Sequence, residues 1–166
     1  MKYSIWIIPS EPLESTLKQV VVRLAKELEG PEFEPHMTLL GDIEGDLTEL
    51  KEKVKQLASK IDKLELSLGS VSFSTTYFQS VFVRVNSTAE LMKLNLEAKK
   101  LFGVSNNVFM PHISLLYGDH DMEVREQASL KVNIPEAFFI VKELVVIPAT
   151  SNPNEWEHLA TIPFSG

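Results

Sequence analysis

The chain has 166 residues, 44% of them apolar, no cysteine and a formal net charge of −7. Lack of cysteine excludes disulfides, thiolate catalysis and cysteine-held zinc or iron–sulfur centres. The acidic balance argues against wrapping a long nucleic acid, where phosphate neutralisation by Lys and Arg dominates affinity.

No run approaches the roughly 20 apolar residues of a membrane helix, and MKYSIWIIPS is too short and aromatic for a secretory signal. A cytoplasmic monomer with no membrane partner is expected, with residues 1–166 forming a single domain of two pseudo-symmetric lobes.

Tyr3–Ile8 reads as a strand ended by Pro9. Leu17, Val20, Val21, Leu24 and Leu28 make an apolar stripe, predicting a helix over Leu13–Leu28 that Gly30-Pro31 stops. The phrase Pro35-His36-Met37-Thr38-Leu39-Leu40-Gly41 follows. A helix over Leu47–Ile61 then opens with Asp46 and Glu49 at capping-box spacing. Leu64–Ser74 and Phe78–Val85 read as strands, and Leu91–Phe102 as a helix ended by Gly103. Next comes Pro111-His112-Ile113-Ser114-Leu115-Leu116-Tyr117-Gly118, followed by a helix over Glu123–Leu130. The last strands are Phe138–Ile147 and Glu157–Ile162, joined across the Ser151-Asn152-Pro153-Asn154 turn.

Strand, helix, histidine phrase and helix thus occur twice. Duplicated lobes explain that order better than chance. Short connections between mixed elements predict an α+β fold, two antiparallel-leaning sheets enclosing a groove.

In a strand, residues i and i+2 share a face, so each phrase aims one imidazole and one hydroxyl at one surface. Two histidines permit paired general acid and base chemistry near neutral pH. Thr38 and Ser114 are neutral donors for the oxygens of a phosphate. A lone histidine in an apolar strand is usually structural; two in one repeated context are not. Strict alternation places Thr38 and Leu40 on one face and Leu39 on the other, so the groove face is expected to become buried further along the strand.

Other chemistries lack support. Asp42, Asp119, Asp121 and His120 lie near the phrases, but no metal-ligand spacing joins them. Asp119 to Asp121 reads as a helix cap, and His120 and His158 as ordinary polar residues. No Gly-x-Ser-x-Gly elbow, Walker loop or Gly-x-Gly-x-x-Gly turn is present.

His36-Met37-Thr38-Leu39 and His112-Ile113-Ser114-Leu115 resemble the paired His-x-Thr/Ser-x motifs of the two-histidine phosphoesterase superfamily. The chain looks most like its small plant- and yeast-type cyclic phosphodiesterases. Tyr3-Ser4-Ile5-Trp6, Gly30-Pro31-Glu32-Phe33, Tyr77-Phe78-Gln79-Ser80-Val81-Phe82 and Glu155-Trp156-Glu157 extend the match over nearly the whole chain.

The resemblance implies a bilobal, duplicated fold around a central cleft. It makes His36 and His112 the acid/base pair, with Thr38 and Ser114 gripping the phosphate. Tyr117 would contact substrate. Trp6 and Phe78 match aromatic positions that could stack on a base, core packing being the competing role. The implied reaction is metal-independent and needs no cofactor. It opens a nucleoside 2′,3′-cyclic phosphate to the 2′-phosphate, or opens ADP-ribose 1″,2″-cyclic phosphate.

Three alternatives stand beside that reading. They are RNA-end processing as in ligase-like or RNA-trimming relatives, a non-catalytic nucleotide-binding module, and a structural or interaction protein. Few basic residues flank the motifs, Arg125 being the nearest on the second side, which favours a small molecule over RNA termini.

Overall fold

The computed structural model describes residues 1–105 and 107–166. Strand β1 (Lys2–Ile7) leads into helix α1 (Leu13–Leu28), whose expected stripe is the face it buries. The helix ends on Glu29 at φ 56°, where the Gly30 amide donates back to the Ala25 carbonyl. Strand β2 (Met37–Glu44) carries the first phrase, with His36 at its entrance.

Helix α2 (Leu47–Ala58) starts on Asp46, whose carboxylate accepts from the amides of Thr48 and Glu49. Glu49 does not return the bond but pairs with Lys53. The helix stops short of Ile61, whose carbonyl accepts instead from the amide and hydroxyl of Ser165 near the C-terminus.

Strand β3 (Leu64–Phe73) precedes β4 (Val81–Val85) and α3 (Ala89–Phe102). The expected strand from Phe78 begins late. Carbonyls of Ser74 and Thr76 are held by Arg125, and that of Tyr77 by the Gly118 amide, so residues 75–80 leave the ladder. Helix α3 begins earlier than its apolar spacing suggests because the Thr88 hydroxyl caps the Leu91 amide. Strand β5 (His112–Leu116) carries the second phrase and α4 (Met122–Lys131) follows. Asp121 stands at the N-cap of α4, yet its side chain makes no capping bond.

The run expected as one strand over Phe138–Ile147 is two. β6 (Phe138–Val141) pairs with β3, whereas β7 (Glu143–Pro148) pairs with β1 and with β8 (Ala160–Pro163). The chain crosses between sheets at Lys142, whose carbonyl accepts from the Phe164 amide. β6 alternates exposed and buried residues, while β7, between β1 and β8, is buried from Leu144 to Ile147.

The strand orders are β2-β1-β7-β8 and β5-β4-β3-β6, antiparallel throughout. Each histidine strand is an edge of its sheet, and these two edges pack against one another. The expected repeat therefore appears as two equivalent sheets meeting at β2 and β5. The helices interlock them: α1 packs on β5 and α3 on β2, each on the histidine strand of the other half.

The burial of these leucines has a backbone cause. Trp6 pairs with Thr38 but Ile5 with Leu40, so Leu39 is an extra residue in β2. Phe82 pairs with Ser114 but Val81 with Leu116, so Leu115 is extra in β5. A bulge directly after each hydroxyl residue resets the alternation. It lets Leu39, Leu40, Leu115 and Leu116 all bury while the residues before them face the groove.

Buried Asn95 on α3 donates from Nδ2 to the Leu39 carbonyl at 2.9 Å. Replacing it with Leu should destabilise the protein by about 1–3 kcal/mol, the desolvation cost of an orphaned buried acceptor. Urea unfolding would check this; an unchanged midpoint would show that the first bulge needs no such support.

Candidate active site

Both phrases deliver their polar side chains to one cleft of about 480 Å³, lined among others by Trp6, His36, Thr38, Phe78, His112, Ser114 and Tyr117. Every residue expected at the site therefore lines a single cavity. The two halves also anchor their imidazoles identically. His36 donates Nδ1–H to the Glu34 carbonyl at 2.7 Å, and His112 donates Nδ1–H to the Met110 carbonyl at 2.8 Å.

A carbonyl can only accept, so a neutral ring must carry its proton on Nδ1 and its lone pair on Nε2. The intervening prolines, Pro35 and Pro111, hold this geometry. Proline has a fixed φ and forces the residue before it into extended conformation, which orients the accepting carbonyl.

Surroundings then differentiate the two rings. His36 lies flat on Trp6, centroids 3.4 Å apart and planes 8° from parallel. Trp156 meets His36 edge-on at 5.7 Å and Trp6 at 5.3 Å, and its indole N–H is spent on the Thr150 carbonyl. Across the cleft Phe82, the ladder counterpart of Trp6, meets His112 nearly at right angles. Phe82 does not line the cavity.

Burial lowers His36 to about 4, its bond to Glu34 opposing and the nearby His112 reinforcing the shift. Burial also lowers His112, its bond to Met110 opposing and neighbouring Arg84 reinforcing. His112 keeps more solvent contact than His36.

The hydroxyls differ as well. Among the described residues Thr38 has no hydrogen-bond partner for its side chain, whereas Ser114 donates to the Phe78 carbonyl at 2.7 Å. Tyr117, which the resemblance makes a substrate contact, lines the cleft but is buried and stacked on Phe33 at 3.7 Å. Burial holds its hydroxyl protonated far above the ordinary tyrosine value.

One face of Trp6 is already taken by His36, so its order belongs to the imidazole before any substrate arrives. Phe78 is 42% exposed at the cleft, which is not the burial of a core residue.

Several cleft residues were not legible as site residues. Trp156 stood in a phrase carrying the family resemblance but no polar periodicity pointed to it. Ala149, Thr150 and Ser151 reach the cleft because β7 pairs with β1, a long-range contact without a local signal. His158, read as an ordinary polar residue, contacts Glu34 Oε1 at 2.6 Å and so steadies the segment whose carbonyl holds His36. His120 bonds the Leu28 carbonyl, away from the cavity lining.

Among the described residues no Lys or Arg lines the cleft; Asp42 is the lining side chain of fixed charge. Nor do any three His, Asp or Glu side chains of those residues converge into a metal-ligand group. No helix among them is long and apolar enough to cross a membrane.

Comparison with known proteins bears on the family and on the fold. Residues 1–163 match the family described as cyclic phosphodiesterase-like protein. A cyclic phosphodiesterase of Arabidopsis thaliana is 31% identical over 130 residues, spanning 78% of this chain and 72% of that protein. TT0787 of Thermus thermophilus shares the fold with TM-score 0.70 at 15% identity, covering 100% of this chain and 99% of its own. E. coli LigT complexed with 3′-AMP does so with TM-score 0.66 at 18% identity, covering 99% and 98%.

The lowered His36 value has a measurable sign. Between its ordinary value of 6.5 and about 4, the unfolded chain binds a proton at this ring that the folded chain refuses. His36 therefore costs stability as pH falls through that window, and His36→Gln should flatten this part of the stability–pH curve. Carbon NMR of labelled histidine should place the His36 titration near 4; a midpoint near 6.5 would contradict the burial.

Proposed function

Because this chain belongs to the cyclic phosphodiesterase-like protein family, we propose that it hydrolyses a small cyclic phosphodiester with His36 and His112 as general base and acid. The observation that carries this reading is the pair of imidazoles anchored alike through Nδ1 in one cleft, leaving both Nε2 atoms for substrate. A nucleoside 2′,3′-cyclic phosphate fits best. It carries one negative charge, and the cleft offers neutral donors and no fixed cation. The same lack of cations weighs against RNA termini and, through its extra pyrophosphate charge, against ADP-ribose cyclic phosphate. E. coli LigT has been seen with 3′-AMP, phosphate, ATP and NADP+, which supports a nucleotide-sized ligand for a cleft of this fold.

Roles follow from the two environments. His36, the more buried ring and the one lowered to about 4, is neutral over the working range and acts as base. Its Nε2 takes a proton from water as the water oxygen bonds to phosphorus. His112, the more solvated ring, enters protonated and gives its Nε2 proton to the ribose 3′ oxygen as the P–O3′ bond breaks, leaving a 2′-phosphate. The Thr38 hydroxyl donates to a non-bridging oxygen. Ser114 joins it when its proton turns from the Phe78 carbonyl to the phosphate. No step calls for a metal or a cofactor.

His36→Ala or His112→Ala should each cost roughly 10²–10⁴-fold in kcat while the far-ultraviolet circular dichroism is kept. Thr38→Ala removes a donor at the developing charge and should cost roughly 10²–10³-fold. Full activity in either histidine variant would refute the pair.

The pH profile is a second test. The base must be neutral, so kcat/KM should fall on the acid side near pH 4. The acid must be protonated, and its value is lowered from 6.5, so the maximum should lie below pH 6.5. A maximum at pH 8, where both rings would be neutral, would contradict His112 acting as a protonated acid. Activity should survive EDTA; its loss would mean that a metal takes part.

A further inference from the structure

Arg125 on α4 is 2% exposed, and among the described residues it is the one Lys or Arg side chain that is buried. No carboxylate of the described residues pairs with it. Its guanidinium instead donates to four backbone carbonyls. Nε–H reaches His120 at 2.8 Å and Nη2–H reaches Gly118 at 3.1 Å. Nη1 spans to Ser74 at 2.7 Å and Thr76 at 3.0 Å. One fork thus ties the β5–α4 connection to residues 74–76.

A buried charge held for stability alone is often replaceable by an apolar side chain of like volume. The planar fork, reaching two separate segments at once, is what only Arg supplies. Arg125 itself does not line the cleft.

What it ties down does. The Gly118 amide donates to the Tyr77 carbonyl at 3.0 Å, and Ser114 holds the Phe78 carbonyl. Ser74 closes the segment on itself by donating to the Gln79 carbonyl. Phe78 is thereby fixed against Tyr117, ring centroids 5.1 Å apart, with a partly exposed face on the cavity. Tyr77 braces it from outside at 4.8 Å.

We infer that Arg125 is a positioning residue that holds the 74–80 segment so that Phe78 forms the wall on which the substrate's base stacks. The site then prefers nucleoside cyclic phosphates over cyclic phosphates lacking a base. This rests on the phosphodiesterase reading above and adds to it a specificity device outside the catalytic groups.

The experiment compares adenosine 2′,3′-cyclic phosphate with methyl ribofuranoside 2,3-cyclic phosphate, which keeps the reacting ester and lacks the base. Wild-type, Arg125→Lys, Phe78→Ala and the double variant are each measured for kcat and KM on both esters. Thermal unfolding is followed in parallel.

The wild type should favour the adenosine ester through KM. Arg125→Lys and Phe78→Ala should each erode that preference by roughly 5- to 150-fold, the range for one base–aromatic contact. The double variant should be no worse than Phe78→Ala, since one acts through the other. Multiplying losses, or equal loss on both esters in Arg125→Lys, would overturn the inference.

Should Arg125→Lys fail to fold, Phe78→Ala still decides, because an unchanged preference in that exposed-residue variant overturns the wall. A wild type that turns over both esters equally refutes the wall and leaves the phosphodiesterase. A wild type that turns over neither refutes both.

Discussion

The cleft depends on a backbone carbonyl placed two residues before each histidine. By accepting Nδ1–H, the carbonyls of Glu34 and Met110 fix the tautomer and the plane of both rings. They leave the Nε2 atoms of two side chains at the starts of edge strands without the anchoring role. The proline within each phrase supplies the rigidity for this, and the bulge after each hydroxyl residue lets the strand bury its leucines without turning the polar pair away. The rest of the fold brings β2 and β5 together and covers them with helices contributed by opposite halves.

A duplicated chain would by symmetry give two equal histidines, and two equal histidines cannot settle which is acid and which is base. Their environments, however, are unlike. Trp6 covers one face of His36, and Trp156 closes on its edge. His112 meets buried Phe82 nearly at right angles and is only half-buried. Splitting paired titratable groups by environment is a general means of running acid and base chemistry in one site. The hydroxyls divide in the same way. Among the described residues the Thr38 side chain has no hydrogen-bond partner, whereas Ser114 donates to the carbonyl of Phe78.

Much of this was legible in the sequence where the signal is local. The stripe from Leu17 to Leu28 and the Gly30-Pro31 stop fixed α1 to the residue, because helix periodicity and its terminators lie within one element. The repeated phrases placed four side chains that do meet in one cleft. What could not be read was non-local. Phe138–Ile147 holds two apolar runs separated only by Lys142-Glu143 and no turn residue, and it is pairing with two different sheets that divides it there. The bulges at Leu39 and Leu115 leave no mark on sequences that read Leu-Leu. Arg125 stood out in the sequence only as the basic residue nearest the second phrase, and its burial left no signal because its four acceptors are carbonyls, which carry no residue identity.

Phosphorus NMR tests the central claim most directly. Purified protein would be incubated with 2′,3′-cyclic AMP and EDTA beside the His36→Ala and His112→Ala variants. Conversion to 2′-AMP by the wild type, with the cyclic resonance left intact in both variants, is the expected result. A cyclic resonance unchanged in the wild type, or product formed equally by either variant, would contradict a hydrolase built on this pair of histidines.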